Sequence, residues 1–271
     1  MARGIANGRP PGKGVPDGAA SGKPLLLNTR LALYAAASAQ GGRQVRVFIA
    51  VLAGAIAGVT MVLLMGHPLD LAVAKYFYDP ASKKFLAEFE PAIGRLRDNG
   101  LVAIVTCAGF VIAAVVKRLR RQPPGPATSA RAILFLVSTL LLAPGLLVNL
   151  GLKDHWHRPR PAHLTEFGGK QNYPYVDWWN SAGQCDRNCS FVSGEASSAA
   201  WMFAPAMLAP PPWRAAAFAA AAVFTAVISF VRMAAGGHFL TDVLFAIMLT
   251  LIVIWVMHGV IFRWRRSAVP E

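Results

Sequence analysis

AILFLVSTLLLAPGLLVNLGL, residues 132–152, runs straight into KDHWHRPRP, residues 153–161. The first string carries no charge and matches the roughly 20 apolar residues with which a helix crosses a hydrocarbon core of about 30 Å. The second packs Lys153, His155, His157, Arg158 and Arg160 into one short stretch. A helix end at a membrane surface, crowded with cations and imidazoles, is the feature from which the fold is read.

Other apolar stretches approach or meet the same length: Val47–Gly66, Leu101–Val116, Ala215–Val231 and Phe239–Phe262. Ala196–Leu208 is shorter and carries Pro205; its neighbours could shield it from lipid. Only 15% of the residues are charged, against about a quarter in soluble domains. The expected fold is an all-α polytopic membrane protein, a bundle of six transmembrane helices. Residues 1–45 read as a disordered or amphipathic cytoplasmic tail, 46–266 as the membrane domain and 267–271 as a second tail. The first twenty-odd residues lack the apolar core of a signal peptide.

A formal net charge of +14 could point to nucleic acid, but its distribution argues against that partner. Lys and Arg collect before the first span, between the second and third (Lys117, Arg118, Arg120, Arg121, Arg131), at Arg214, and after the sixth (Arg263, Arg265, Arg266). The intervening loops, 67–100 and 153–193, are balanced. Basic loops that alternate with balanced ones mark the cytoplasmic side. Both termini are therefore expected in the cytoplasm and the two balanced loops outside.

Starting inside and alternating, this topology brings three polar clusters to one outer rim. They are the 153–161 knot, Ser193-Gly194-Glu195, and Arg232 with His238 and Asp242. Each has a plain explanation when taken alone. Terminal Lys and Arg anchor helices at headgroups, Ser-Gly starts a helix, and a His four residues before an Asp shares its helix face. Together they suit phosphoryl transfer, which rests on positioning and on neutralising charge over the equatorial oxygens. Lys153, Arg160 and Arg232 can hold a phosphate, with the hydroxyl of Ser193 and the amide of Gly194 at a helix start. His238 can attack phosphorus, with Asp242 fixing its tautomer. Cys185 and Cys189 lie in an outer loop, where an oxidising compartment lets them form a disulfide; free thiols are the alternative. No metal ligand set is expected, and no cofactor, so chelators should not inhibit.

Lys153…Arg160-Pro161, Ser193-Gly194 and Arg232…His238…Asp242 together resemble the motifs of the phosphatidic acid phosphatase type 2 (PAP2) superfamily. The resemblance covers residues 132–262. It implies a six-helix, metal-independent phosphatase that works through a phosphohistidine at His238. Two departures stand out: Val231 replaces the Ser that leads the third motif, and Glu195 replaces the His that protonates the leaving oxygen. A carboxyl near three cations should stay ionised, so Glu195 could instead order a water or pair with Lys153 or Arg160. His155 and His157 then become candidate proton donors. The Ser-Gly-Glu variant looks like the bacterial lipid A phosphatases of this superfamily, which remove the 1- or 4′-phosphate at the periplasmic face of the inner membrane. Phosphatidylglycerophosphate and undecaprenyl pyrophosphate remain alternative substrates. An anionic-lipid transporter and a catalytically dead scaffold are the competing functions. In every enzymatic reading the partners are the bilayer and a phosphorylated membrane lipid; the oligomeric state is left open. In the 67–100 loop, Phe85, Leu86, Phe89 and Ile93 recur at helical spacing, either gripping a lipid headgroup or packing over the bundle.

Overall fold

The computed structural model describes residues 46, 49–50, 52–54, 56–62, 64–65, 67–121, 126–153, 155–172, 183, 185–187, 188–191 and 192–263. The tails expected at 1–45 and 267–271 lie outside them. Apart from residue 46, they belong to one compact unit, Phe48–Glu271.

That unit is mostly helical. Helices α1 (Leu52–Val62) and α2 (His67–Tyr76) meet at 98°. A short α3 (Leu86–Phe89) precedes the 31-residue α4 (Pro91–Arg121), which contains the apolar stretch Leu101–Val116. Helix α5 (Pro126–Leu140) continues as a π-wound segment, Leu141–Leu152. Proline lacks an N–H and crowds the preceding turn, so a helix must widen or kink around it. Pro144 lies inside the widened part, and its carbonyl accepts a hydrogen bond from Asn149 Nδ2 at 2.6 Å. Two short helices follow, α6 (Gly194–Ala200) and α7 (Phe203–Leu208). The long α8 (Pro211–Ala234) starts on a proline, where no N–H is needed. Helix α9 (Leu240–His258) extends through Gly259–Arg263.

Among the described residues, three helical stretches are long and apolar enough to cross a membrane: Ala130–Leu152, Pro211–Ala234 and Leu240–Phe262. The bent α1–α2 pair would make a fourth. Their outward faces expose Leu134, Leu141, Leu150, Val223, Phe230 and Trp255. Water would not tolerate so broad an apolar surface on a monomer, whereas lipid does. The chain is a helical membrane protein.

The short stretch that begins at Gly194 is the centre of the bundle. Helix α6 packs against α8, α9 and the π-wound segment, and α7 packs against α8. Ala196, Ala199 and Ala200 are fully buried, because only small side chains allow helices this close. Polar groups satisfy one another across the interior: Trp201 Nε1 donates to Thr139 Oγ1 at 3.0 Å, and Ser197 Oγ lies 2.8 Å from Thr250 Oγ1.

The helical expectation needs one correction, at the 67–100 loop. Tyr78–Asp79 and Lys84–Phe85 pair as a small antiparallel hairpin. Its turn is held by the Asp79 carboxylate, which accepts from the amides of Ala81 and Ser82 at 3.1 and 3.0 Å. Short polar side chains of this kind build turns in place of helix. Phe85 is buried in a cluster with Phe77, Leu164, Phe167, Ala234 and Phe239, and Leu86 and Ile93 pack against it. Packing over the bundle thus accounts for Phe85, Leu86 and Ile93, while Phe89 is exposed.

Candidate active site

His238 stands between α8 and α9, in a turn that only glycine can make. Gly236 has a φ of +62°, and a Cβ there would lie 2.6 Å from the ring of Phe85. The hairpin that carries Phe85 therefore fixes the turn that carries the imidazole. His238 is buried, with Nδ1 2.7 Å from the carbonyl oxygen of Ser190. A carbonyl can only accept, so Nδ1 bears the proton and Nε2 keeps its lone pair.

That lone pair points into a group of unsatisfied atoms. Among the described residues, His238 Nε2, Glu195 Oε2 and Arg232 Nε are buried with no hydrogen-bond partner. Nε2 lies 3.6 Å from Glu195 Oε2, and Arg232 Nη2 lies 3.4 Å from Glu195 Oε1. Buried polar groups are rarely left without partners unless something else is meant to bind there. Lys153 and Arg160 also act electrostatically on this spot.

The remaining candidates are placed by α6 and the chain before it. Ser193 caps α6 by accepting from the amide of Ala196 at 3.3 Å, and its own amide donates to the carbonyl of Asp242 at 3.2 Å. A Cβ on Gly194 would lie 2.6 Å from Asn149 Oδ1, so glycine lets α6 approach the π-wound segment without moving the Asn149 side chain. Arg160 directs Nε and Nη2 at the carbonyl of Asn188, at 3.1 and 2.9 Å. Asn188 belongs to the loop closed by a disulfide between Cys185 and Cys189.

Charge follows from this placement. Burial chiefly, helped by the cation of Arg232, lowers the pKa of His238 despite the carboxylates of Glu195 and Asp242. The imidazole is thus neutral at neutral pH, as a nucleophile must be. Glu195 faces the cations Arg232 and Lys153, which favour its ionised form. Burial and the neighbouring Arg232 lower the pKa of Arg160, as two cations facing one anion site should.

Three sequence-based expectations change. Asp242 does not hydrogen-bond to His238; its Oδ2 lies 3.9 Å from Nδ1. It accepts instead from Arg158 Nη1 and Ser190 Oγ, each at 2.5 Å, and from the amide of Phe239 at 2.8 Å. The carbonyl of Ser190 sets the tautomer because an amide carbonyl can reach Nδ1 directly and the carboxylate is already committed. His155 is exposed, and His157 Nδ1 donates to the carbonyl of Cys185 at 2.8 Å. Neither side chain pairs with Glu195 or His238, so the geometry does not support them as proton donors. Glu195 pairs with Arg232 rather than with Lys153 or Arg160 at ion-pair distance. Among the described residues, no three His, Cys, Asp or Glu side chains converge as a metal site.

Sequence reasoning missed Asp70, Arg158 and Ser190. Arg158 is fully buried and bridges Asp70 and Asp242. A signal for Asp70 existed: a lone carboxylate between Leu69 and Leu71 in an apolar stretch needs a partner.

The sequence profile of the PAP2 superfamily matches residues 131–266, which include every candidate phosphate-binding and catalytic residue named above. The chain belongs to the PAP2 superfamily. Three curated relatives of this PAP2 protein bear the name lipid A 4′-phosphatase. The relative from Francisella tularensis subsp. novicida (strain U112) is 32% identical over 206 residues, spanning 72% of this chain and 87% of its own length. That from Rhizobium leguminosarum is 39% identical over 127 residues, 47% of this chain and 54% of its own. That from Rhizobium etli is 41% identical over 117 residues, 43% and 45% respectively. No solved structure matches the PAP2 chain significantly.

Proposed function

We propose that this chain is a bacterial membrane phosphatase that hydrolyses a phosphate monoester of lipid A, the 4′-phosphate in particular, through a phosphohistidine. The observation that carries this reading is the convergence of three unpartnered buried atoms, His238 Nε2, Glu195 Oε2 and Arg232 Nε, beside Lys153 and Arg160. The names of the curated relatives supply the lipid and its position.

In the first step His238 Nε2 attacks phosphorus and the ester P–O bond breaks. Lys153, Arg160 and Arg232 hold the equatorial oxygens, aided by the Ser193 hydroxyl and the amide of Gly194. The sugar alkoxide needs a proton. Phosphate entering among the cations displaces Glu195, whose carboxylate, no longer paired with Arg232, takes up a proton from solvent and gives it to the leaving oxygen. In the second step the carboxylate accepts a proton from the attacking water, and the N–P bond breaks to release inorganic phosphate. The same group is thus acid and then base.

The protein takes six spans: the bent α1–α2 pair, α4, α5 with its π-wound end, the interior α6–α7 pair, α8 and α9. Residues 46–266 form the catalytic domain, and the distribution of basic loops favours cytoplasmic termini. The site then opens to the periplasm of the inner membrane, an oxidising side that suits the disulfide. The test is phosphate release by pure protein in detergent from lipid A species, phosphatidylglycerophosphate and undecaprenyl pyrophosphate, with His238→Ala as control. Loss of the 4′-phosphate, seen by mass spectrometry, is expected with the unaltered chain only. Release of no phosphate from any of these lipids would favour the transporter and overturn the reading.

A further inference from the structure

We propose that Asp70 is a positioning residue: it cancels the charge of Arg158, so that Asp242, acting through Ser190, remains available as a counter-charge to His238. The inference rests on His238 being the nucleophile and adds a residue outside the segment that carries the family match.

The geometry forms one buried chain. Arg158 Nη2 donates to Asp70 Oδ2 at 2.7 Å, and Arg158 Nη1 donates to Asp242 Oδ1 at 2.5 Å. Ser190 Oγ donates to Asp242 Oδ2 at 2.5 Å, and the carbonyl of the same Ser190 receives the proton of His238 Nδ1 at 2.7 Å. Thr241 fastens the far end, its amide donating to Asp70 Oδ1 at 3.0 Å and its hydroxyl to Oδ2 at 2.6 Å. Asp70 accepts from every one of these partners, which is the behaviour of an ionised carboxylate. Arg158 also lies over the ring of Phe239, 4.4 Å from its centroid, locked in place on one side.

Charge counting shows what Asp70 does. With Asp242 alone, the guanidinium of Arg158 would neutralise the only carboxylate on the Nδ1 side of the imidazole. With Asp70 present, two carboxylates share one guanidinium, and a net negative charge remains beside Nδ1. Attack by Nε2 on phosphorus leaves positive charge on the ring. A net negative charge on the far side stabilises that state, and the Ser190 carbonyl keeps the reactive nitrogen the correct one. The charged groups that face His238 are Glu195 from α6, Arg232 from α8 and Asp242 from α9. Those that face Asp70 are Arg158 and Asp242. Helix α2 thus contributes a functional charge in addition to its place in the membrane.

The test compares the unaltered chain, Asp70→Asn, Asp70→Glu and Ser190→Ala in lipid nanodiscs, with ¹⁵N-labelled histidine. Asp70→Asn should lower kcat about tenfold with little change in KM. The acid limb of kcat/KM and the ¹⁵N titration of His238 should both move to lower pH, by about half a unit to one unit, because less negative surroundings disfavour the imidazolium. Asp70→Glu should restore both. A merely structural Asp70 would reduce the active fraction and leave the His238 titration where it was; that result overturns the proposal. Should Asp70→Asn fail to fold, the titration in Ser190→Ala decides, and an unmoved value again overturns it. The titration needs no substrate, so the coupling can hold even if lipid A proves not to be the lipid.

Discussion

Glu195 lies between Arg232 and His238, with Oε1 3.4 Å from Arg232 Nη2 and Oε2 3.6 Å from His238 Nε2. In the proposed mechanism, the carboxylate sits where an oxygen of a bound phosphoryl group would meet both the guanidinium and the attacking imidazole. Substrate must therefore compete with an anion built into the site. Glu195→Gln should bind inorganic phosphate more tightly, by about tenfold, since one charge-assisted contact is released. Activity should fall, because a positioned acid–base group is worth roughly 10²- to 10⁴-fold, but less than in His238→Ala. Calorimetric phosphate titration and initial rates check the two halves. Weaker phosphate binding, or equal background-level rates in Glu195→Ala and His238→Ala, would sink this role.

The disulfide closes the loop that holds Arg160, the proposed phosphate ligand. Arg160 gives two N–H groups to the carbonyl of Asn188, in the loop closed by Cys185 and Cys189. That loop spans a separation of only 4, so the cross-link removes little entropy from the unfolded chain. Its loss should show in substrate binding. Cys185→Ser with Cys189→Ser, or reduction of the unaltered protein, is expected to raise KM several-fold and change kcat little. Steady-state kinetics with and without reductant measure this; an unchanged KM would show that Arg160 is held by other means.

The motif residues were legible in the sequence because each breaks a local rule. Lys153 and Arg160 end an uncharged run, and Asp242 is a carboxylate in an apolar helix. Charge bias in the loops then gathered Ser193, Arg232 and His238 on one side. The partner of His238 was not legible. The i to i+4 spacing favoured Asp242, but the acceptor is a main-chain carbonyl from a distant loop, and no side-chain pattern encodes that. Arg158 was hidden because it looks like an ordinary helix-end charge until the fold buries it against Asp70, whose own signal, a carboxylate between two leucines, named no partner. The hairpin at 78–85 was lost within an apparent helical period, although Asp79 and the positive φ of Lys83 explain its turn.

The pH dependence expected of the proposed mechanism follows from burial of His238. Desolvation holds the pKa of His238 below that of an exposed histidine, near 6.5. Attack needs the neutral imidazole, so activity should persist as pH falls through 6.5 and be lost only on the acid side of it. In kcat/KM the limb reports the free enzyme. The second ionisation of a phosphate ester, near pH 6, enters for every variant alike. The direct measurement is the ¹⁵N titration of His238 in the substrate-free protein, and a midpoint at or above 6.5 would contradict the reading.

Removing Arg158 should damage the fold as well as the site. Its guanidinium is the one described cation bonded to both Asp70 and Asp242, and all three groups are buried. Taking one partner from a buried ion pair costs about 3–5 kcal/mol, since the remaining charge has neither water nor a counter-ion. Here two carboxylates would be left facing each other. Arg158→Met should therefore lower the thermal midpoint in detergent by many degrees and yield less monodisperse protein. Arg158→Lys should rescue only part of the loss, because one ammonium cannot reproduce the fork that places Nη1 on Asp242 and Nη2 on Asp70. Arg160→Met is the control: that side chain bonds a main-chain carbonyl, so its loss should weaken phosphate binding and leave the midpoint within a few degrees. Thermal unfolding of the three variants followed by tryptophan fluorescence separates the roles, and equal midpoints for Arg158→Met and Arg160→Met would show that the buried bridge does not hold the bundle together.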